Sequence, residues 1–378
     1  MPDDVLRTIV VDDSVLYRKI IRDVLSDIPN VEVVAVARDG EVAIQQIGRH
    51  QPDLVTLDVE MPNVDGLAVL RAMRRRGLSG RAIMISSTTW SGSKSTLTAL
   101  QEGAFDFVVK PSNGVSATEN ASILRKELAP RIEALRTSSQ FRRGRTAHAE
   151  PQRNTIDRSS QKRRTVNHTS SRLARPAGKG CYAAVAVGVS TGGPDALRQF
   201  LPQLPATFPV PIIVAQHMPP VFTKSLADSL DQICALNVSE AIDRDAIQPG
   251  RILIAPGGMQ TRLQETSQGV IASVAKDDGK TLCRPSVDFL FESVADVYGP
   301  SALGLIMTGM GRDGSIGCRD ICTVGGAIIA QDEESCVVFG MPAQPIADGL
   351  ASSVVSLRDM ATEVQQYVGN ATQVALPV

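Results

Sequence analysis

Along residues 1–136, short β-branched apolar runs alternate with segments of helical period; the runs read RTIVVDD, VEVVAVA, DLVTLD, AIMIS and DFVVK. After the first run, Leu16, Ile20, Val24 and Ile28 recur every fourth residue behind Ser14, which predicts an amphipathic helix with Ser14 as its N-cap. Such alternation, repeated along the segment, predicts an α/β unit built on a five-stranded doubly wound parallel sheet. The pattern fades over residues 137–180, where Ser, Thr, Arg and Asn dominate and apolar periodicity is almost absent. That stretch reads as a flexible linker. From 181 to about 371 the alternation resumes. Val185, Val187 and Val189 predict a buried strand, Gly192 and Gly193 a tight turn, and Pro194 the first turn of a helix. With the runs VPIIVAQ and ALGLIMTG, this predicts a second doubly wound α/β domain on a mostly parallel sheet.

A length of 378 residues agrees with two domains. The apolar runs are of strand length, and the acidic start MPDDVLRTIV passes directly into a strand, so neither membrane insertion nor a signal peptide is expected. A cytoplasmic location follows. Six scattered cysteines without a C-x-x-C pair read as buried thiols, and sulfur-based metal binding is not expected. The formal net charge of −1 conceals an asymmetry, because residues 137–180 hold eleven Lys or Arg against two acidic residues. A basic stretch can touch nucleic acid, but this one has almost no aromatic residue for stacking, and a solvated tether is the better reading.

In a doubly wound sheet, functional groups gather at the carboxyl ends of the strands. There the first domain places Asp12 and Asp13 after its first strand, Asp58 after the third, Ser86 after the fourth and Lys110 after the fifth. Three converging carboxylates call for a cation, and Mg²⁺ is the hard, oxygen-seeking choice. With that charge offset, Asp58 becomes a carboxylate nucleophile toward a phosphoryl group, which Ser86 and Lys110 can contact. The motifs VVDDS, LVTLDVEMPNVDG, MIS and FVVKP resemble those of a two-component receiver domain. The resemblance implies that Asp58 is the phosphoacceptor, that Asp12, Asp13 and Asp58 hold Mg²⁺ with the Glu60 carbonyl, and that Phe107 turns inward when Ser86 moves. It also implies a histidine kinase as phosphoryl donor.

In the second domain, Gly188-Val189-Ser190-Thr191-Gly192 fits G-x-S-x-G, a strand-to-helix corner that presents a nucleophilic hydroxyl beside backbone N–H groups. A helix N-cap serine would suit the same corner, so partners decide. VPIIVAQ runs into His217 and ALGLIMTG runs toward Asp313, which puts Ser190, His217 and Asp313 on one sheet edge, as a Ser-His-Asp triad requires. Their chain order differs from that of α/β-hydrolases. The segments GVSTGGPDAL, AQHMPPVFTKSLA, IAPGG, RPSVDFLF and MTGMGRDG resemble the catalytic domain of the chemotaxis protein-glutamate methylesterases, the CheB family. The resemblance implies hydrolysis of glutamate methyl esters on chemoreceptors with release of methanol, deamidation of glutamines at the same site, and no cofactor for the esterase. Thr191 and the Met310 N–H are the expected oxyanion donors, and Arg284, Pro285, Ser286 and Asp288 are expected to shape the substrate groove. One departure is Met259-Gln260, where the family usually carries a histidine. A DNA-binding output domain would need a helix-turn-helix in place of the strand and helix alternation after 181. A non-catalytic scaffold would not need the serine, histidine and aspartate together.

Overall fold

The computed structural model describes residues 5–87, 89–111, 116–138, 182–276, 279 and 281–369. In the first unit β1 (Leu6–Val11), β2 (Val31–Ala37), β3 (Leu54–Asp58), β4 (Arg81–Ser86) and β5 (Asp106–Val109) pair in the order β2-β1-β3-β4-β5. Every pairing is parallel. Helices α1 (Val15–Ser26), α2 (Gly40–His50), α3 (Gly66–Arg76), α4 (Trp90–Gln101) and α5 (Ala117–Thr137) connect or follow the strands. Each begins on a side-chain cap, from Ser14, Asp39, Asp65, Thr89 and Ser116, which satisfies an N–H that the first turn leaves without a helical partner. The expected stripe on α1 holds for Ile20 and Val24, whereas Leu16 is exposed and Ile28 is buried beyond the helix end. Leu16 lies in the first turn of α1, and its neighbour Val15 is exposed as well, so burial of this helix begins only further along it.

The second unit carries a seven-stranded, wholly parallel sheet, together with a separate antiparallel hairpin. Its elements are β6 (Ala184–Val189), α6 (Gly193–Phe200), β7 (Ile212–Gln216), α7 (Phe222–Asp231), β8 (Asn237–Glu240), β9 (Arg251–Ile254), the hairpin β10 (Gln260–Thr266) and β11 (Gly269–Ala275), and α8 (Val287–Tyr298). They continue with β12 (Ala302–Ile306), α9 (Ser315–Thr323), β13 (Ala327–Gln331), α10 (Ala343–Ala347), β14 (Ser353–Val355) and α11 (Met360–Val368). The order β14-β13-β12-β6-β7-β9-β8 reverses direction beside β6. That switch point opens a crevice above the strand ends, where α/β sheets hold their ligands. β6 is buried at every residue, which its unbroken apolar sequence requires of a strand covered on both faces.

Helix α5 reaches Thr137, the first residue of the stretch 137–180 read as a linker, and residues 139–180 of it lie outside the described residues. The two units touch directly. Helix α4 packs on α6 and α7, Ser93 Oγ lies 2.6 Å from Ser225 Oγ in a buried hydrogen bond, and Gln101 donates to Ser229 Oγ at 3.3 Å. The Phe107 ring stacks on Phe222 with centroids 4.7 Å apart and planes inclined by 23°. Among the described residues no helix is long and apolar enough to cross a membrane.

Candidate active site and phosphoacceptor cluster

Register brings Ser190 and His217 together. Val189 at the end of β6 lies opposite Gln216 at the end of β7, and the His217 N–H donates to the Val189 carbonyl at 3.1 Å. On the other side the Ser190 N–H donates to Thr308 O at 3.0 Å, just beyond β12. Three adjacent parallel strands thus end on the segments that carry Asp313, Ser190 and His217. Gly192, at φ 79°, makes the turn into α6 in the left-handed region that glycine adopts freely. At Gly309 a Cβ would sit 2.8 Å from Ser190 Cβ and 2.3 Å from Met341 Sδ, so only glycine lets that loop pass under the serine.

Asp313 is held from four directions. Its oxygens take His217 Nε2 at 2.7 Å, Ser286 Oγ at 2.9 Å, and the N–H groups of Val287 and Asp288 at 2.7 and 3.1 Å. Burial alone would raise this carboxyl, but His217 and the backbone donors outweigh it and bring it to about 2. On His217 burial pulls downward, yet Asp313 and Cys283 push harder and carry the imidazole up to about 9. With Nε2 turned to Asp313, Nδ1 is the ring nitrogen that does not face that carboxylate. Among the described residues no hydrogen bond joins Ser190 Oγ to His217.

The residues expected in the substrate groove have other duties. Ser286 is buried, binds Asp313 and caps α8, while Asp288 accepts from Gly317 N at 2.8 Å and is pushed up to about 6 by burial and then by Asp313. Ser286 is buried and Asp288 half-buried, and these polar atoms are engaged in bonds within the protein. Arg284 is exposed, and its carbonyl accepts from Gly258 N at 3.1 Å. The Thr191 side chain, on the expected oxyanion segment, reaches across to the first unit and donates to Asp106 Oδ2 at 2.8 Å. Arg131 Nε lies 3.3 Å from the same oxygen. Met310 joins Ser190, Thr191 and His217 around a cavity of about 60 Å³ that Leu100, Asp106, Phe107 and Arg131 close from the other unit. Ligand sites usually enclose about 300 Å³ or more, so this one is shut.

Two site residues, and the role of a third, escaped the sequence reading. Gln216, 2% exposed, donates to the carbonyls of both Ser190 and His217 at 3.0 and 3.1 Å. A glutamine ending the apolar run IIVAQ was the available signal. Thr308 Oγ1 donates to Thr191 O at 3.0 Å and accepts from Val337 and Val338 N, both at 3.1 Å. Gln260, at the departure noted above, donates to Cys283 O at 2.8 Å and accepts from Ser286 N at 2.9 Å, so it braces the loop ahead of α8.

At the first unit's strand ends, carboxylate oxygens of Asp12, Asp13 and Asp58 lie within 4.8 Å of one another. Lys110 Nζ sits 2.7 Å from Asp58 Oδ2 and 2.9 Å from Asp12 Oδ2. The Asp12 contact pairs its buried Oδ2 with the same ammonium. Burial and then Asp12 push Asp58 up to about 6 against the pull of Lys110. Burial lowers the Lys110 ammonium, but the two carboxylates outweigh it and hold it above its ordinary value. Three carboxylates this close, an oxygen-only donor set beside a single ammonium, fit a hard divalent ion. Glu60 contributes its N–H to Asp58 Oδ1 at 3.4 Å. Ser86 does not face Asp58. Its hydroxyl donates to the carbonyls of Ser87 and Gly92, and it accepts from Thr96 Oγ1 at 2.7 Å. Phe107 is buried against Phe222.

A family model described as CheB methylesterase matches residues 185–364, and one described as response regulator receiver domain matches residues 8–120. The chain is 42% identical over 368 residues to the protein-glutamate methylesterase/protein-glutamine glutaminase of Desulfotalea psychrophila, which covers 96% of this chain and 98% of that protein. It is 39% identical over 363 residues to the protein of the same name from Trichodesmium erythraeum, covering 96% and 99%. Among solved structures, the catalytic domain of the Thermotoga maritima CheB methylesterase is 42% identical, covers 48% of this chain and 97% of its own, and aligns with a TM-score of 0.47.

Proposed function

The chain belongs to the CheB methylesterase family, as a protein-glutamate methylesterase/protein-glutamine glutaminase with a receiver domain, and from that premise we propose how its residues divide the work. The receiver spans residues 1–136 and the esterase domain 181–371, joined by the basic linker. Ser190 attacks the carbonyl carbon of a glutamate methyl ester on a chemoreceptor, and His217 accepts its proton at Nδ1. Asp313, already ionised, holds Nε2–H and steadies the imidazolium. The tetrahedral oxyanion is met by backbone N–H groups at Thr191 and Met310; removal of one such donor typically slows catalysis by about 10²–10³. Collapse returns the His217 proton to the departing methoxide, which leaves as methanol, and water then cleaves the acyl-serine by the same relay to give glutamate. A glutamine substrate passes through the same acyl-serine and releases ammonia.

The observation that carries this reading is the convergence of Asp313, Ser190 and His217 from three neighbouring parallel strands onto one crevice, with His217 and Asp313 2.7 Å apart.

Control belongs to the receiver. Asp58 takes the phosphoryl group from a chemotaxis histidine kinase; Asp12, Asp13 and Asp58 would hold Mg²⁺, whose charge would offset that of the incoming phosphate. The unphosphorylated receiver, through Asp106, Phe107 and α4, covers Ser190 and keeps receptor helices out. Ser190→Ala should abolish methanol release while phosphoryl uptake at Asp58 and the thermal midpoint stay unchanged. Methanol release near the wild-type rate in that variant would overturn the nucleophile assignment.

A further inference from the structure

Cys283 lies on the loop between β11 and α8, half-buried, and the catalytic mechanism above does not use it. Its Sγ, a ring nitrogen of His217 and a carboxylate oxygen of Asp313 lie within 4.8 Å of one another. The spacing gives no hint of this, because the three residues follow β7, β11 and β12 and meet only through the fold. We propose that His217, Cys283 and Asp313 form a binding site for a thiophilic divalent cation of the Zn²⁺ class, and that occupancy of this site switches the esterase off.

One imidazole nitrogen, one thiolate and one carboxylate are a three-ligand zinc set with a fourth position open. Zinc bond lengths of about 2.0–2.3 Å place tetrahedral ligand atoms about 3.3–3.8 Å apart, so the three groups reach the ion through side-chain adjustments of about 1 Å. The cation takes the place of the proton between His217 and Asp313. On binding, the Cys283 thiol gives up its proton to water, as does the ring nitrogen that becomes a ligand, and new bonds to sulfur, nitrogen and oxygen form. Supporting groups are already in position: Ser286 Oγ and the Val287 and Asp288 N–H groups orient Asp313, and Gln260 Nε2 holds the Cys283 carbonyl. Sulfur and imidazole discriminate against Mg²⁺, whereas the oxygen-only cluster at Asp12, Asp13 and Asp58 favours it. One chain thus offers a hard site on the receiver and a soft one on the esterase.

The site rests on geometry alone, and its inhibitory consequence rests on the catalytic roles proposed above, so two readouts are taken on the full chain with Mg²⁺ in excess. In the first, Co²⁺ serves as probe and the sulfur-to-cobalt charge-transfer absorption is recorded. Wild type should gain one Co²⁺ equivalent with that band, and both Cys283→Ser and His217→Ala should lose it. In the second, Zn²⁺ should stop methanol release by wild type. In Cys283→Ser the half-inhibiting concentration, relative to that variant's own metal-free rate, should rise by about tenfold or more, the scale on which lost metal-site partners weaken binding. A band retained by both variants would overturn the site. Wild type that binds the ion with the band yet keeps full activity would overturn the inhibition, and with it the roles of His217 and Asp313, while leaving the site in place.

Discussion

Replacing Asp106 by alanine should release the esterase without touching its chemistry. Asp106 Oδ2 accepts from Thr191 Oγ1 at 2.8 Å and lies 3.3 Å from Arg131 Nε, so one carboxylate oxygen joins the receiver to the segment beside Ser190. A hydrogen bond to a charged acceptor contributes about 1.5–3 kcal/mol net. Lost only in the covered arrangement, that amount moves the docking equilibrium by about tenfold to a hundredfold, at 1.4 kcal/mol per factor of ten. Arg131 keeps its bond to Glu127 at 2.7 Å, and the Phe107–Phe222 stack and the Ser93–Ser225 bond remain, so docking weakens without disappearing. The assay is methanol release from methylated receptors, with and without phosphodonor. The unphosphorylated Asp106→Ala protein should hydrolyse about tenfold faster than unphosphorylated wild type, and the phosphorylated rates should agree within about twofold. Because coupling is reciprocal, the variant's receiver should also accept phosphoryl groups more readily. Equal basal rates in variant and wild type, with the fold intact by circular dichroism, would refute the covering role; a rise in both states alike would point to altered chemistry at Thr191.

The imidazole raised to about 9 predicts that kcat/KM climbs with pH through that region, well above the ordinary 6.5, since only the neutral ring can take the serine proton; a profile flat from pH 7 upward would contradict it. In stability the same pair works in the opposite sense: His217 contributes fully below 6.5 and loses its contribution as pH rises through about 9, while Asp313 contributes above 3.8 and fades as pH falls through about 2. The drop in Tm on His217→Ala should therefore be largest between pH 3.8 and 6.5, and a drop that grows toward pH 9 would be inconsistent with the pair. Ser286→Ala removes one of Asp313's donors and the α8 cap, so kcat should fall by about tenfold with KM unchanged, and stability by about 1 kcal/mol; unchanged kcat would free Ser286 from any positioning role. Mg²⁺ binding, followed by calorimetry, should tighten as pH rises to about 6 and level off above, because the Asp58 proton competes below that value; affinity independent of pH from 5 to 7 would count against Asp58 as a ligand.

Much of what depends on strand ends is legible in the sequence, although the roles of Gln216 and Thr308 are not. An apolar run that stops on Asp12, Asp58, Ser190 or Gln216-His217 reveals both the strand and the group at its carboxyl end, because a parallel strand covered on both faces admits polar residues only where it leaves the sheet. Where a side chain points once the strand has ended is decided by contacts distant in sequence. Ser286 and Asp288 look like groove residues in RPSVD, yet α8 turns them inward onto Asp313 and Gly317. Leu16 has the right period and no surface to cover it. Cys283 beside His217, and Thr191 bonded to Asp106, join segments for which no pattern in either stretch anticipates the other.

A hydroxyl chain gives the receiver a physical route to the esterase. Ser86, at the end of β4, is bonded by Thr96 on α4; three residues earlier on the same helix Ser93 bonds Ser225, and both links are buried. β3, which ends on Asp58, is the neighbour of β4 in the sheet, so a phosphoryl group there that draws the Ser86 hydroxyl toward itself must take it from Thr96 and Gly92 O. Thr96 Oγ1 keeps its 2.7 Å bond to Gly92 O when Ser86 leaves, so what the start of α4 loses is the Ser86 hydroxyl itself, one turn from the Ser93–Ser225 link. On the proposed reading Ser86 would act as a switch in this sense: it would leave its bonds at the start of α4, the helix that packs on the esterase, for a better partner at the phosphoryl group.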